Sequence, residues 1–531
     1  MSQARRRKRR PRYRWVALAG LLLATGVAGI LLLRKPAAPP TDERTPAALP
    51  TVTIMAPVSP AATLPPSPSP SSAPAGQARE ASTKEPATAT AQGLSPEARD
   101  PAGQLPFFGV SMNHITQKFG LAQARQAGVQ VVRDPMIPWN KVEPVRTDPP
   151  TYRWQVLQGL EQELLNAADA GMIITLLILY TPDWAQAVPG HSCGAIRADR
   201  LDEFTEFLRA VVDRYSAPPY QVKYWELFNE PDVDPALVGA SSSFGCWGDE
   251  NDEYYGGRAF AEMLKHAYPA IKQADPDAQV ILGGLLLDAP DSLPTNFLTG
   301  VLKDGGGDYF DLLAFHAYTL YDPGTYNWDT LPGTKWIDWG GVVIGKTTFL
   351  REVLREYGYD KPLVLNESGL AWGRPEEPTE DYDRAKADYV VKLYSRGLAL
   401  GLANVTWFGW KGPGWRQMAL LNQDLLATPA YRAYAFAIQQ LGGAEYIGPL
   451  QYNGLEAYGF RRDKGVLQIV WSADGSEQPL RLPAERFVRA LDLTGRSQAY
   501  RRVGDSVLLD IRRPMYIELA PEVLDGAESE P

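Results

Sequence analysis

From residue 105 onward, short apolar runs bounded by turn residues alternate with longer amphipathic stretches. The runs fall at 107–110, 129–132, 172–179, 222–228, 280–286, 312–315, 363–365 and 405–408. The stretches between them include 152–170, 202–215, 254–273, 347–357 and 382–400. Strands alternating with helices build βαβ units around a parallel sheet. Eight strand candidates within 105–441 predict an α/β fold, a closed (β/α)8 TIM barrel. A doubly wound open sheet is the alternative, and the lack of a GxGxxG string after the first strand weighs against it.

At 442 the period changes. The runs at 455–460, 466–471, 480–482, 488–493, 506–511 and 515–519 are short, and turns such as Asp463-Lys464-Gly465 separate them. A small antiparallel β-sandwich domain over 442–521 is expected, with an acidic tail at 522–531. A sandwich packed on the barrel is the simplest role for it, and a carbohydrate-binding module is the alternative.

The N-terminal fifth of the chain is different in kind. Residues 1–14 carry eight Lys/Arg, and residues 15–33, WVALAGLLLATGVAGILLL, carry no charge. As a helix this run is about 28 Å long, enough to cross a hydrocarbon core. The basic block before it keeps the N-terminus cytoplasmic and sends the rest outward. The run therefore reads as a single-pass transmembrane signal anchor with the body extracytoplasmic. A cleaved signal peptide would have a shorter apolar region and a small-residue cleavage site, whereas this one ends in Leu-Leu-Leu-Arg. Fifteen of the 45 prolines lie in residues 36–104, so 34–104 is expected to be a disordered, extended linker.

Composition narrows the function. The net charge is −9 although residues 1–35 hold ten cations and no acid, which leaves the remainder near −19. An acidic body argues against nucleic acid as a partner. Two cysteines and four histidines, with no CxxC and no HExxH, give no metal site and no cofactor signature. The oligomeric state is not legible.

In a barrel, chemistry sits just after the C-terminal ends of the strands. The residues there are Asn113 and His114, Arg133, Tyr180 and Trp184, Asn229 and Glu230, His316 and Tyr318, Asn366 and Glu367, and Trp407 and Trp410. Two strings stand out. YWELFNEPD at 224–232 delivers Glu230 at the end of the fourth strand, and PLVLNESGLAWG at 362–373 delivers Glu367 at the end of the seventh. Cleaving an acetal needs a proton donor for the leaving oxygen and a group that handles the oxocarbenium-like carbon, and a pair of carboxyl groups supplies both. One such Glu alone is better explained by an ion pair; two, each preceded by Asn, are not.

These strings resemble the retaining glycoside hydrolases of the (β/α)8 clan whose catalytic glutamates end the fourth and seventh strands. The chain is most similar there to family 39 and cellulase-like members. The helix and fifth strand at 261–284, AEMLKHAYPAIKQADPDAQVILGG, and the trailing β domain carry the same likeness. The resemblance implies Glu230 as acid/base, Glu367 as nucleophile and a carbohydrate substrate. It implies that Arg133 and Tyr318 hold the nucleophile, that Asn229 binds the sugar 2-hydroxyl and that His316 contacts sugar or orients a neighbour. Trp407 and Trp410 would floor the pocket, with Asn113 and His114 nearby. A transglycosylase using the same residues and a catalytically silent glycan-binding protein are the alternatives. Cys193 and Cys246 fall in the loops after the third and fourth strands, both on the active face. A disulfide between them is expected in an oxidising compartment, with two free thiols as the alternative.

Overall fold

The computed structural model describes residues 104–239, 242–290, 296–331 and 334–521. The basic segment 1–14, the expected anchor 15–33, the linker up to residue 103 and the tail 522–531 lie outside the described residues. Among the described residues, no helix is long and apolar enough to cross a membrane.

Eight parallel strands close in chain order: β1 (Phe108–Ser111), β2 (Val131–Pro138), β3 (Ile173–Leu179), β4 (Tyr224–Leu227), β5 (Gln279–Leu285), β6 (Leu312–Leu320), β7 (Leu363–Ala371) and β8 (Asn404–Trp407). Pairing of β1 with β8, Phe108 opposite Val405, completes the barrel. The helices are α1 (Leu121–Ala127), α2 (Trp139–Val142), α3 (Gln158–Asp169), α4 (Leu201–Tyr215), α5 (Gly257–Ala274), α6 (Asn296–Lys303), α7 (Val342–Glu356), α8 (Glu380–Ala399) and α9 (Pro429–Leu441). α4 shows why they form: Phe204, Phe207, Leu208, Val211 and Val212 recur at helical spacing and are fully buried. α8 starts at Thr379, whose hydroxyl accepts the Tyr382 N–H at 3.2 Å, and Glu380, Asp381 and Asp383 suit the positive end of its dipole.

Each predicted apolar run seeds one strand, but β2, β6 and β7 run several residues further than the pattern indicates. The extra residues of β6 and β7 include His, Asn, Glu and Gly, which are poor strand formers. Pairing holds them, from His316 opposite Glu367 to Leu320 opposite Ala371.

The barrel interior is layered. Val131, Tyr224, Ile281, Leu312, Ala314 and Val364 pack together near the strands' N-terminal ends. Two residues further along three of those strands stand Arg133, Glu226 and Asn366, all buried. Side chains alternate faces along a strand, so these three polar groups point inward above the apolar plug.

The C-terminal region forms two antiparallel sheets. The strands are β9 (Glu445–Pro449), β10 (Leu455–Arg462), β11 (Gly465–Ser472), β12 (Gln478–Pro483), β13 (Phe487–Asp492), β14 (Arg501–Val503), β15 (Ser506–Ile511) and β16 (Met515–Leu519). Their orders are β13-β16-β11-β10-β9 and β12-β15-β14. Val470 and Ile517 of the first sheet share a core with Leu480, Val507 and Leu509 of the second. β9 and β14 escape the hydrophobic pattern because both are edge strands without a buried residue. The region meets the barrel through Arg396 of α8. Its guanidinium donates to Glu456 at 2.8 and 2.7 Å and bonds Asp329.

Candidate active site

Arg133 is the hub of the polar layer. Its Nε and Nη2 donate to Oε2 and Oε1 of Glu226 at 2.9 and 2.8 Å, a two-pronged pairing that fixes the guanidinium plane. Nη2 also donates to Asn229 Oδ1 at 2.6 Å, and Nη1 bonds Glu367 Oε1. Glu226 has no exposed surface, and its charge is met by further donors: Asn366 Nδ2 at 2.9 Å and the Gly284 N–H at 3.4 Å.

Glu230 lies just past β4 in the left-handed region, φ 51°, two residues after Phe228 at φ 62°. Such conformations are costly for non-glycine residues and persist only where neighbours impose them. Here the Phe228 N–H donates to Ile178 O at 3.1 Å, and the Trp247 N–H donates to Pro231 O at 2.9 Å. Asp232 accepts the Leu286, Leu287 and Asp288 N–H groups at 2.9, 2.6 and 2.9 Å. So held, one oxygen of Glu230, one of Glu367 and a ring nitrogen of His316 all lie within 4.8 Å of one another. His316 Nδ1 is hydrogen-bonded to Glu230 Oε1 at 2.6 Å and is 3.4 Å from Glu367 Oε2. The Tyr318 hydroxyl donates to Glu367 Oε2. Gly284 leaves the space for this: a Cβ there would lie 2.1 Å from His316 Nε2.

Acids outnumber bases in this cavity, and the proton affinities follow. Burial and then the charges of Glu367 and Asp232 push Glu230 well above the usual carboxylate range, against the pull of Arg133 and Lys346. Burial also raises Glu367, but Arg133 and the Tyr318 hydroxyl draw it back down. Of the two, Glu230 keeps the proton. Burial, Arg133 and Lys346 hold His316 well below its ordinary value, so its ring is neutral. Lys346, donating to the Leu285, Leu286 and His316 carbonyls at 2.8, 2.8 and 3.0 Å, is pushed down to about 8 by burial. A protonated and an ionised carboxyl facing one cavity suit acid-assisted displacement at an acetal.

A family model for cellulase (glycosyl hydrolase family 5) matches residues 97–410, the whole barrel as far as the end of β8. The chain belongs to this family. It is a glycoside hydrolase, and the likeness to clan members read from its sequence holds. Among solved structures, a family 39 glycoside hydrolase from Bacteroides cellulosilyticus WH2 is similar at 18% identity and a TM-score of 0.61, covering 78% of this chain and 81% of that one. A GH39 β-xylosidase from Caulobacter crescentus is similar at 17% identity and 0.51, covering 80% and 98%. The GH30 xylanase C catalytic domain from Talaromyces cellulolyticus is similar at 12% and 0.54, covering 78% and 97%. At these identities the structures attest the fold. No curated protein sequence matches the chain.

Within this family 5 barrel, Arg133, Asn229, Glu230, His316, Tyr318, Asn366 and Glu367 meet in one cluster, while Asn113, His114, Trp407 and Trp410 stand outside it, as do Tyr180, which lines a separate cleft, and Trp184, which donates to Glu143 O at 3.1 Å. Asn113 is exposed, and His114 pairs with Glu163 of α3 at 2.8 Å. The last inward residue of β1 is Ser111, and the chain has already turned away by Asn113. Trp407 and Trp410 do not floor an open pocket. Both are buried, with their indole N–H groups donating to Met418 O at 2.9 Å and Gly120 O at 3.2 Å. The aromatic rings beside Tyr318 are instead Trp415, with centroids 5.1 Å apart, and Phe408 at 5.8 Å, both half-buried.

Sequence reasoning also passed over Glu226 and Asp134. The alternation in YWELF, which puts Tyr224 and Glu226 on one face, could have revealed the first. Cys193 and Cys246 form a disulfide, Cα atoms 5.3 Å apart, linking the loops after β3 and β4. In the acidic run 249–253 the two aspartates are spent on turns: Asp249 accepts the Asn251 N–H at 2.9 Å and Asp252 the Gly256 N–H at 3.0 Å. A cleft of about 500 Å³ at the ends of β2 and β3 is lined by Met136, Asn140, Tyr180 and Asp183 among others, none of them a member of the cluster.

Proposed function

We propose that this hydrolase cleaves β-linked glycosides with retention of configuration, by double displacement. Glu230 acts first as general acid and then as general base, and Glu367 is the nucleophile. The observation that carries this reading is the approach of the two carboxyl groups within one cavity, one oxygen of each lying within 4.8 Å of the other. Retaining enzymes hold the pair about 5–5.5 Å apart, whereas inverting enzymes leave about 6.5–9.5 Å for a water. The assignment of roles rests on the proton: Glu230 holds it, and Glu367 is furnished with the donors Arg133 and Tyr318.

In the first step Glu367 attacks the anomeric carbon while Glu230 gives its proton to the leaving oxygen. Neutral His316 fixes the Glu230 carboxyl and adds no charge. In the second step Glu230, now ionised, takes a proton from water, which displaces Glu367. Asn229, oriented by Arg133, receives the sugar 2-hydroxyl.

For the chain as a whole, the reading is a single-pass membrane protein with an extracytoplasmic barrel. The basic segment before an apolar nineteen-residue run supports it, and so does a disulfide of a kind that persists in oxidising compartments.

The test is a panel of aryl β-xyloside, glucoside, galactoside and mannoside, with proton NMR of the first-formed sugar. A β anomer is expected, and an α anomer overturns the retaining assignment.

A further inference from the structure

The cavity holds a carboxylate that the proposed mechanism does not use. Asp134 follows Arg133 on β2 with φ 106°, far into a region that non-glycine residues avoid. The pairing of β2 with β3 is irregular at this point, between Arg133 and Met136, and the Ser111 hydroxyl of β1 donates to Asp134 Oδ2. The other oxygen, Oδ1, has no hydrogen bond among the described residues. It keeps only an ion contact at 3.7 Å with Arg133 Nη1, the nitrogen that bonds Glu367. The side chain is 21% exposed although the arginine beside it is buried. Met136, two residues on, lines the cleft between β2 and β3. Asp134 thus stands beside the arginine nitrogen that bonds the nucleophile candidate, with one acceptor oxygen unbonded on a partly exposed side chain.

A buried arginine already satisfied by Glu226 and Glu367 does not require a third carboxylate at 3.7 Å. Costly backbone geometry that presents an unused acceptor to a cavity is a mark of a binding residue. We propose that Asp134 is a specificity-determining residue, whose carboxylate receives a hydroxyl of the sugar unit attacked by Glu367. This rests on the glycosidase reading above. Burial, reinforced by Glu367, pushes Asp134 up to about 7 against the pull of Arg133 and Ser111, so near neutral pH the group can either accept or donate a hydrogen bond.

The experiment measures kcat/KM on the best of the four aryl glycosides and on its monodeoxy analogues, for the parent enzyme, Asp134→Ala and the near-isosteric Asp134→Asn. A hydrogen bond to a charged group corresponds to a loss of roughly 10- to 100-fold when one partner is removed. The parent should lose that factor on one deoxy analogue. Asp134→Ala should lose it on the full glycoside and no longer discriminate against that analogue, with Asp134→Asn between. If Asp134→Ala does not fold, Asp134→Asn carries the comparison. Discrimination unchanged in both variants makes Asp134 a support for Ser111 and overturns the assignment alone. No turnover of any of the four glycosides by the parent overturns the glycosidase reading, and the assignment with it.

Discussion

Arg133 and Arg396 are both buried guanidinium groups gripped by carboxylates, yet their surroundings work in opposite ways. Around Arg396 charges nearly balance. It bonds Glu456 through two nitrogens and Asp329 through the third, and Asp329 also accepts the Tyr389 hydroxyl at 2.8 Å. Burial pushes Glu456 up, but Arg396 and the Tyr458 hydroxyl hold it below its ordinary value. Lys392 alongside is pushed down to about 7, chiefly by burial and Arg396. Around Arg133, one guanidinium serves Glu226 and Glu367 while Glu230 and Asp134 crowd the same space, and burial, with the neighbouring acids adding to it, raises the proton affinity of Glu230, Glu367 and Asp134. A balanced cluster docks the β region on α8; an unbalanced one at a cavity keeps a proton ready to transfer.

The widest separation between the two clusters is expected from Glu367→Gly and Arg396→Met. The first should lower kcat on a dinitrophenyl glycoside by about 10⁴-fold or more, with azide restoring turnover as a glycosyl azide. The second leaves buried Asp329 and half-buried Glu456 without their cation, and should cost about 3–5 kcal/mol in urea unfolding with kcat per folded molecule unchanged. Loss of turnover in Arg396→Met without loss of stability would break the contrast.

The pH profile sharpens it. kcat/KM should rise at acid pH as Glu367 ionises and fall at alkaline pH as Glu230 loses its proton. Glu230→Ala should remove the alkaline limb for a good leaving group. Because Glu230 binds its proton more tightly folded than unfolded, stability should decline as pH climbs from the ordinary carboxylate range through the folded value. Glu230→Gln should flatten that decline.

A smaller effect belongs to the Cys193–Cys246 bridge, which closes a separation of 53 residues. Replacing both by Ser should cost about 2–4 kcal/mol. Gly245 is packed against the Asn229 carbonyl, where a Cβ would lie 2.9 Å away, so the bridged loop also backs the β4 end. A Tm measurement with and without reductant checks this.

How much of this could be read from the chain follows from where the signal lies. Eight apolar runs mark eight strands because a barrel strand is buried on both faces. Glu230 and Glu367 were legible because a carboxylate ending an apolar strand has no local reason to be there. The extensions of β6 and β7 were not, since only their mutual pairing makes Asn366-Glu367-Ser368 a strand. Trp407 misled for a related reason: on β8, Val405 and Trp407 share the face that meets the helices, and the ring lies 6.3 Å from Tyr389 of α8. Strand-end position alone does not say which face a ring takes. Asp134 gave no signal, because what places it is the break in the pairing of β2 with β3 and the contact with Ser111, 23 residues away.

The smallest expected effect separates the two tryptophans. Trp415 is half-buried beside Tyr318 and Phe408. A half-buried ring placed next to the group that holds Glu367 is suited to a sugar's apolar face. Trp415→Ala should therefore raise KM about 5- to 10-fold, the equivalent of about 1 kcal/mol of contact, with kcat little altered. Trp407 has no exposed surface, and its donor is already spent on Met418. Trp407→Phe should leave KM unchanged and lower unfolding stability by about 1–2 kcal/mol, the loss of one buried hydrogen bond and some packing. Were Trp407→Phe to raise KM while Trp415→Ala did not, the aromatic wall of the site would lie on the other face of β8, and Trp407 would be a sugar contact rather than a packing residue.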